Sequence, residues 1–321
     1  MIISASRRTD IPAFYSKWFM NRIKDKYVYV KNPFNTKQIS KIPLLPESTD
    51  CIVFWTKNAQ NLMPFLDEIE SMGYNYYFQF TLTSYDSSIE RGVPKKAYII
   101  DTFKKLSDTI GKKKVVWRYD PVFLTDQFNV SYHIKWYEYL ANQLGDYTEK
   151  CIFSFIDMYK KCENNLKNIQ LDTLSEQIKD NLVRNFSEIA NAHSLKLESC
   201  AQEESFEKYG VYHGKCIDDE LISRIIKRPL IIGKDKNQRE QCGCVTSVDI
   251  GTYNTCKNFC RYCYANYSEK NVIKNTESHD EHSPLITGFP TGEEKITERK
   301  IAKSKNIQLS LFNNKNTQQD V

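Results

Sequence analysis

The stretch CIVFWTKNAQNLMPFLDEIESMGYNYYFQFTLTS (residues 51–84) reads as strand, helix, strand. Residues 51–56 and 76–83 are compact apolar and aromatic runs, as expected of parallel strands buried on both faces. Between them, 60–72 carries apolar residues at helical spacing, and Gly73 stands where that helix would stop. The same unit recurs on either side. Residues 2–6, 27–31, 115–119, 151–156 and 195–200 are further strand candidates, with 245–250 as an eighth. Residues 13–26, 98–110, 130–144 and 174–193 are helix candidates, the last with Leu174, Ile178, Leu182, Phe186 and Ile189 on one face. Gly111 and Gly145 mark two more helix ends. A βαβα alternation predicts an α/β fold with a parallel sheet covered by helices. Six to eight units favour a TIM-like parallel (β/α)6-8 barrel over an open doubly wound sheet, and no glycine-rich dinucleotide fingerprint supports the latter.

The chain has 321 residues, 40% hydrophobic and 26% charged, enough apolar material for a large core and too much for a disordered chain. No apolar run approaches the ~20 residues of a membrane helix. Charged residues enter the N-terminus too early for a signal-peptide core. The expectation is a soluble cytoplasmic protein without a membrane partner. Three segments are expected: a barrel over 1–240, a Cys-rich segment closing it over 241–311, and a polar, disordered tail over 312–321. The net charge of +5 is too mild to mark a nucleic-acid surface by itself. Ten cysteines in a cytosolic chain point to metal or catalysis before disulfides.

In parallel barrels chemistry gathers where the strands end, because those loops converge on one mouth. Here the first strand runs into Arg7, Arg8, Thr9 and Asp10, the third into Trp55, Thr56, Lys57 and Asn58, and the fifth into Arg118, Tyr119 and Asp120. The sixth offers Ser154, Asp157, Tyr159 and Lys160. Asp10 also suits a helix N-cap, with Pro12 in the first turn. Taken together, these strand ends read as a polar cavity in which Arg7, Arg8, Lys57 and Arg118 face a carboxylate or phosphate.

The densest signal is CGCVTSVDIGTYNTCKNFCRYCYAN (242–266). Cys256, Cys260 and Cys263 have the spacing C-x3-C-x2-C, with Tyr262 before the last. Three thiolates so spaced can hold one iron–sulfur cube and leave its fourth iron without a protein ligand, whereas electron-transfer clusters use four cysteines. Zinc is the competing metal, and a structural zinc site closes with four ligands.

CKNFCRYC resembles the cysteine motif of radical S-adenosylmethionine enzymes, and GTYNTCKNFCRYCYAN is similar to the cluster loop of spore photoproduct lyase and its relatives. From SASRRTDIP through FWTKN and WRYDP to the cysteine loop and the closing QLSLF, the chain resembles a prokaryotic domain-of-unknown-function family (number eighteen forty-eight). The resemblance implies a 4Fe–4S cluster on Cys256, Cys260 and Cys263. It also implies S-adenosylmethionine as cofactor, an electron donor such as flavodoxin or ferredoxin, and a radical acting on an unknown, conceivably nucleic-acid or nucleotide, substrate. In those enzymes the loop follows the first strand; here it follows the last. A circularly permuted radical-SAM barrel reconciles the two, with 245–250 lying beside 2–6. No glycine-glycine-acid motif for the methionine amine is evident. Residues 7–10 are the candidate substitute, so Arg7, Arg8 and Tyr262 are candidate cofactor contacts. Arg7, Asp10, Lys57, Arg118 and Asp120 are candidate catalytic residues.

Cys200, Cys216, Cys242 and Cys244 remain as a candidate second site for an auxiliary iron–sulfur cluster or zinc, or else as buried thiols. Cys51 and Cys151 read as core residues, and Cys162, in KKCENN, as exposed. His213 is the only histidine placed to join a metal. The alternative function is an iron–sulfur or zinc-stabilised protein that binds nucleic acid or a partner without catalysis.

Overall fold

The structure, a computed structural model, describes residues 1–158 and 160–300. The QLSLF motif and the polar tail lie outside the described residues. The chain opens with β1 (Ile2–Ala5), helices α1 (Ile11–Phe14) and α2 (Ser16–Lys24), and the strands β2 (Tyr27–Asn32) and β3 (Asn35–Pro43). A βα series follows: β4 (Cys51–Thr56), α3 (Leu66–Ser71), β5 (Tyr76–Thr81), α4 (Lys96–Ile110), β6 (Val115–Val122), α5 (Val130–Leu144), β7 (Lys150–Phe155), α6 (Lys160–Leu166), α7 (Glu176–Ala192) and β8 (Lys196–Ser199). The remainder adds β9 (Tyr212–His213), α8 (Asp219–Ile226), β10 (Val248–Asp249), α9 (Glu269–Glu277) and β11 (Lys295–Glu298).

Eight strands form one sheet in the order β10-β1-β4-β5-β6-β7-β8-β9, and every neighbouring pair is parallel. Their side chains alternate between two cores, as a period of two requires. Ile3, Phe54, Phe78, Trp117, Phe153 and Leu197 pack with Phe19, Leu66, Phe103, Tyr137 and Phe186 of the helices. Ile2, Val53, Tyr77, Val116 and Ile152 point the other way, onto Ile217, Leu221, Ile222 and Val245. The strands are thus buried on both faces, which is why they read as continuous apolar runs.

From β1 to β9 the strand order never reverses, so this part has no topological switch point of the doubly wound kind. β9 and β10 stand at the two ends of the hydrogen-bonded order, and no strand pair among the described residues joins them. The segments beside them do meet. Val245 N donates to Ile217 O at 3.1 Å, and Ile217 N donates to Cys244 Sγ at 3.3 Å.

Three sequence expectations need correction, and one strand, β3, was not expected. Residues 27–31 form β2, which pairs antiparallel with β3 and belongs to a separate three-stranded sheet with β11. A connection as short as Pro33–Phe34 can only reverse the chain, because a parallel pair needs a long crossover. β3 escaped detection because its first four residues are exposed and polar. Residues 60–72 give a short 3-10 turn at Met63–Phe65 and then α3, with Pro64 confined to the turn. The eighth strand shrinks to β10, whose Val248 and Asp249 pair with Ile3 and Ser4. No helix among the described residues is long and apolar enough to cross a membrane.

His133, on α5, is fully buried between the Tyr119 hydroxyl and the Phe123 carbonyl, each 2.9 Å from a ring nitrogen. The carbonyl can only accept, so Nε2 carries the hydrogen and Nδ1 accepts from Tyr119. Burial holds the imidazole pKa down to about 4. Between that value and its unfolded value near 6.5 the unfolded chain binds the proton and the folded chain does not. The full contribution is therefore present above about pH 6.5 and falls by about 3 kcal/mol as pH drops towards 4. Urea unfolding of wild type and His133→Gln across this window should show the difference in slope; parallel curves would refute the assignment.

Candidate metal centre

The C-terminal ends of β1, β4, β6, β7 and β8 all lie on one side of the sheet, because the strands are parallel. The residues just beyond them line a cavity of about 790 Å³, within the ~300–1,000 Å³ usual for cofactor and small-molecule sites. Arg7, Arg8, Asp10, Lys57, Arg118 and Asp120 line it, as do Tyr262 and the thiols Cys256, Cys260 and Cys263. Cys200, Cys216, Cys242 and Cys244 line the same cavity. The candidate catalytic and cofactor residues and both cysteine sets named in the sequence therefore line one cavity, whereas Asn58, Tyr119 and His213 do not, and Tyr159 lies outside the described residues.

The loop bearing Cys256, Cys260 and Cys263 follows β10 and is held by asparagine side chains, whose short amides can cap backbone groups on both sides. Asn254 adopts a left-handed backbone conformation (φ 53°) and its Oδ1 accepts from Tyr267 N and Ser268 N at 2.9 and 3.2 Å. Asn266 Nδ2 donates to Cys256 O at 2.6 Å, and Asn165 Nδ2 donates to Cys263 O at 3.1 Å. Asn258 Nδ2 donates to Asp10 Oδ2 at 3.0 Å. Gly92 N donates to Asn258 O at 2.9 Å, and a Cβ on Gly92 would stand 2.1 Å from Lys257 O, so only glycine permits this approach. On the other side Gly251 lies against Ser6, where a Cβ would meet Oγ at 2.0 Å.

Asp10 caps α1 by accepting from Ala13 N at 3.0 Å, and it also accepts from Thr56 Oγ1 (2.7 Å), Lys57 N (2.8 Å) and Asn258. Burial raises its pKa to about 6 against the pull of these donors. With its oxygens so engaged, Asp10 ties the ends of β1 and β4 to the cysteine loop. Asp249 does the same from β10, accepting from Ser4 Oγ, Ser6 Oγ and Arg7 N at 2.6–2.9 Å.

The cations differ in what they can offer a ligand. Lys57 Nζ is 2.8 Å from Glu90 Oε1, and Arg118 is engaged by Asp120 and by Cys216 Sγ, the latter at 2.7 Å. Arg8 Nε is 3.9 Å from Asp249. Arg7 Nη2 is buried and lacks a hydrogen-bond partner among the described residues, as do Thr9 Oγ1 and Asn266 Oδ1. All three residues line the cavity. Buried polar atoms without partners are rare and call for one. The Arg7 and Arg118 guanidiniums each lie 5.2 Å from the Trp55 ring centre.

Cys260 is buried, and Cys256 and Cys263 are half-buried where the cavity opens. Burial pushes all three thiols up, Cys260 to about 12, and the nearby Asp10 carboxylate pushes Cys256 further. Such thiols stay protonated at neutral pH unless a metal draws the proton off. In donor chemistry, three thiols are the residue type that an iron–sulfur cluster takes. No group of three or more His, Cys, Asp or Glu side chains among the described residues is arranged to hold a metal ion.

Sequence reasoning missed Glu90, fully buried beneath the loop. It pairs with Lys57 and with Lys96 (2.7 Å) and accepts from Thr83 Oγ1 at 2.6 Å and from the Tyr262 hydroxyl at 2.5 Å. Its backbone bridges Cys260. Its place after β5 was a signal of a kind, since polar residues after other strands were read. Cys162, expected at the surface, is buried, and its thiol lies 3.3 Å from Tyr262 O because α6 packs under the loop. His213, the histidine expected nearest a metal, is exposed on β9, with Nδ1 3.3 Å from Ser199 Oγ. Cys51 and Cys151 are fully buried in the core.

A family model described as "Domain of unknown function (DUF1848)" matches residues 2–265. The chain belongs to this family. The matched span runs from β1 through the cysteine loop, so the DUF1848 region includes all the residues that line the cavity up to Ala265. No curated protein and no solved structure matches the chain significantly.

Proposed function

We propose that this DUF1848 protein is a radical S-adenosylmethionine-type iron–sulfur enzyme whose 4Fe–4S cluster is held by Cys256, Cys260 and Cys263. The observation that carries the reading is the convergence of these thiols, at C-x3-C-x2-C spacing, with Arg7, Arg8 and Lys57 on one cavity. When bound, a cluster with three protein thiolates supplies an electron and an open iron, the requirements for cleaving S-adenosylmethionine to methionine and a deoxyadenosyl radical.

The chain's own residues prepare that site. Arg7 presents an unpartnered guanidinium nitrogen to a carboxylate. The Tyr262 hydroxyl donates to Glu90, and Lys57 is held between Glu90 and the Tyr262 ring of the loop. Tyr264 OH donates to Arg7 O at 3.1 Å, closing the loop over the first strand's end. We read the sheet as a circularly permuted barrel. β10 leads into the cysteine loop and lies beside β1, so the loop follows the strand next to the chain's first one. The contacts between Ile217 and the 244–245 segment draw the two sheet edges together.

The test is anaerobic reconstitution with iron and sulfide, reduction with dithionite, and chromatography for 5′-deoxyadenosine in the presence of S-adenosylmethionine. Release of deoxyadenosine and methionine is the expected result. A brown, redox-active protein that leaves the cofactor intact would overturn the reading, and stoichiometric zinc with no cluster would favour a non-catalytic binding protein.

A further inference from the structure

We infer that Cys200, Cys216, Cys242 and Cys244 hold a second iron–sulfur centre, closed by four thiolates and opening on the same cavity. The inference is independent of the first cluster's role and rests on a different set of contacts.

The four thiols come from three places in the chain: just after β8, just after β9, and the C-x-C pair leading to β10. In the sheet order these are the two opposite edges. They nevertheless meet. Cys200 Sγ and Cys216 Sγ are 3.3 Å apart, and Cys216, Cys242 and Cys244 share one buried cluster against which Cys200 packs. Three of the four residues are buried, and Cys200 is half-buried.

Their surroundings are those of a negatively charged group. Arg118 Nη1 donates to Cys216 Sγ at 2.7 Å, and Ile217 N donates to Cys244 Sγ at 3.3 Å. Arg7 adds its positive field at Cys244 and Cys216. Neutral thiols packed as small apolar groups have no use for two buried guanidiniums. Four cysteinates around a cluster do, because the assembly is anionic and hydrogen bonds to its sulphurs stabilise it. With all irons ligated, such a centre relays electrons rather than binding a substrate. Structurally it would join the β9 and β10 edges that no strand pairing joins.

The test combines metal analysis, absorption and electron paramagnetic resonance after anaerobic reconstitution. Wild type should hold about eight irons per chain, and the triple variant Cys256→Ala, Cys260→Ala, Cys263→Ala about four, with its cluster absorption retained. Adding Cys216→Ser and Cys244→Ser to that variant should remove the remaining iron. Loss of all iron in the triple variant, zinc in place of iron, or a Cys200–Cys216 disulfide in anaerobically purified protein would each overturn the inference. Should the triple variant misfold, the wild-type count decides: about four irons per chain refutes a second cluster. Failure of the first cluster's chemistry would show separately, as a full iron count without cleavage of S-adenosylmethionine.

Discussion

Cys260→Ala is expected to abolish formation of deoxyadenosine while leaving the protein folded. Cys260 is the buried member of the three-thiol set, and its backbone bridges Glu90 through main-chain atoms that alanine retains. The loop's asparagine side-chain contacts and the glycine approaches at Gly92 and Gly251 do not involve its thiol, which itself reaches Asn258 O at 4.0 Å. The change therefore removes a ligand with little loss of scaffold. Losing an outer partner of a metal ligand lowers metal affinity or activity by ~10–100-fold, and losing the ligand itself should exceed that. Iron content and deoxyadenosine yield should fall together, and Cys256→Ala and Cys263→Ala should behave alike. If any one of the three keeps its full activity, that cysteine is not a ligand and the proposed site is wrong. Cys51→Ala provides the contrast, since that thiol sits in the sheet core away from the cavity.

Glu90→Ala is expected to destabilise the fold by about 3–5 kcal/mol, the range for removing one partner from a buried ion pair. The substitution strands Lys57 and Lys96 with no counter-charge between them and takes the acceptor from Thr83 and Tyr262. Burial alone would raise the Glu90 carboxyl, but the two ammonium groups and their hydrogen bonds hold it well below the usual range. Its folded value is thus depressed relative to about 4.5 unfolded. The stabilisation is complete above that pH and is lost as pH falls below it, while the unfolded chain takes up the proton first. Urea unfolding at pH 7 and pH 4 should show wild type losing more stability on acidification than Glu90→Ala. An alanine variant within 1 kcal/mol of wild type at pH 7 would show that the buried triad is not a structural element. Glu90→Gln keeps an acceptor and removes only the charge, so its loss should lie between the two.

The cysteine loop and the strand ends were legible in the sequence because their signals are local. The spacing 256-260-263 is a property of eight consecutive residues, and Arg7, Asp10, Lys57, Arg118 and Asp120 each stand within a few residues of an apolar run. Glu90, Asn258 and Cys162 were missed for the opposite reason. Each acts on a partner far along the chain, as Asn258 does on Asp10 at a separation of 248 residues. Cys162 was misread because a thiol between Lys and Glu looks solvent-facing until α6 is laid under the loop.

By itself the sequence determined the α/β alternation, the parallel character of most strands and the residue types at their ends, since period and turn chemistry act over a few residues. The expectation that 245–250 lies beside 2–6 is met by the pairing of β10 with β1. Only the tertiary structure decided that 27–31 leaves the main sheet and that thiols from opposite sheet edges pack in one cluster. Those choices depend on which distant surfaces bury each other best, and no local pattern records a pairing such as Ser4 with Asp249, 245 residues apart.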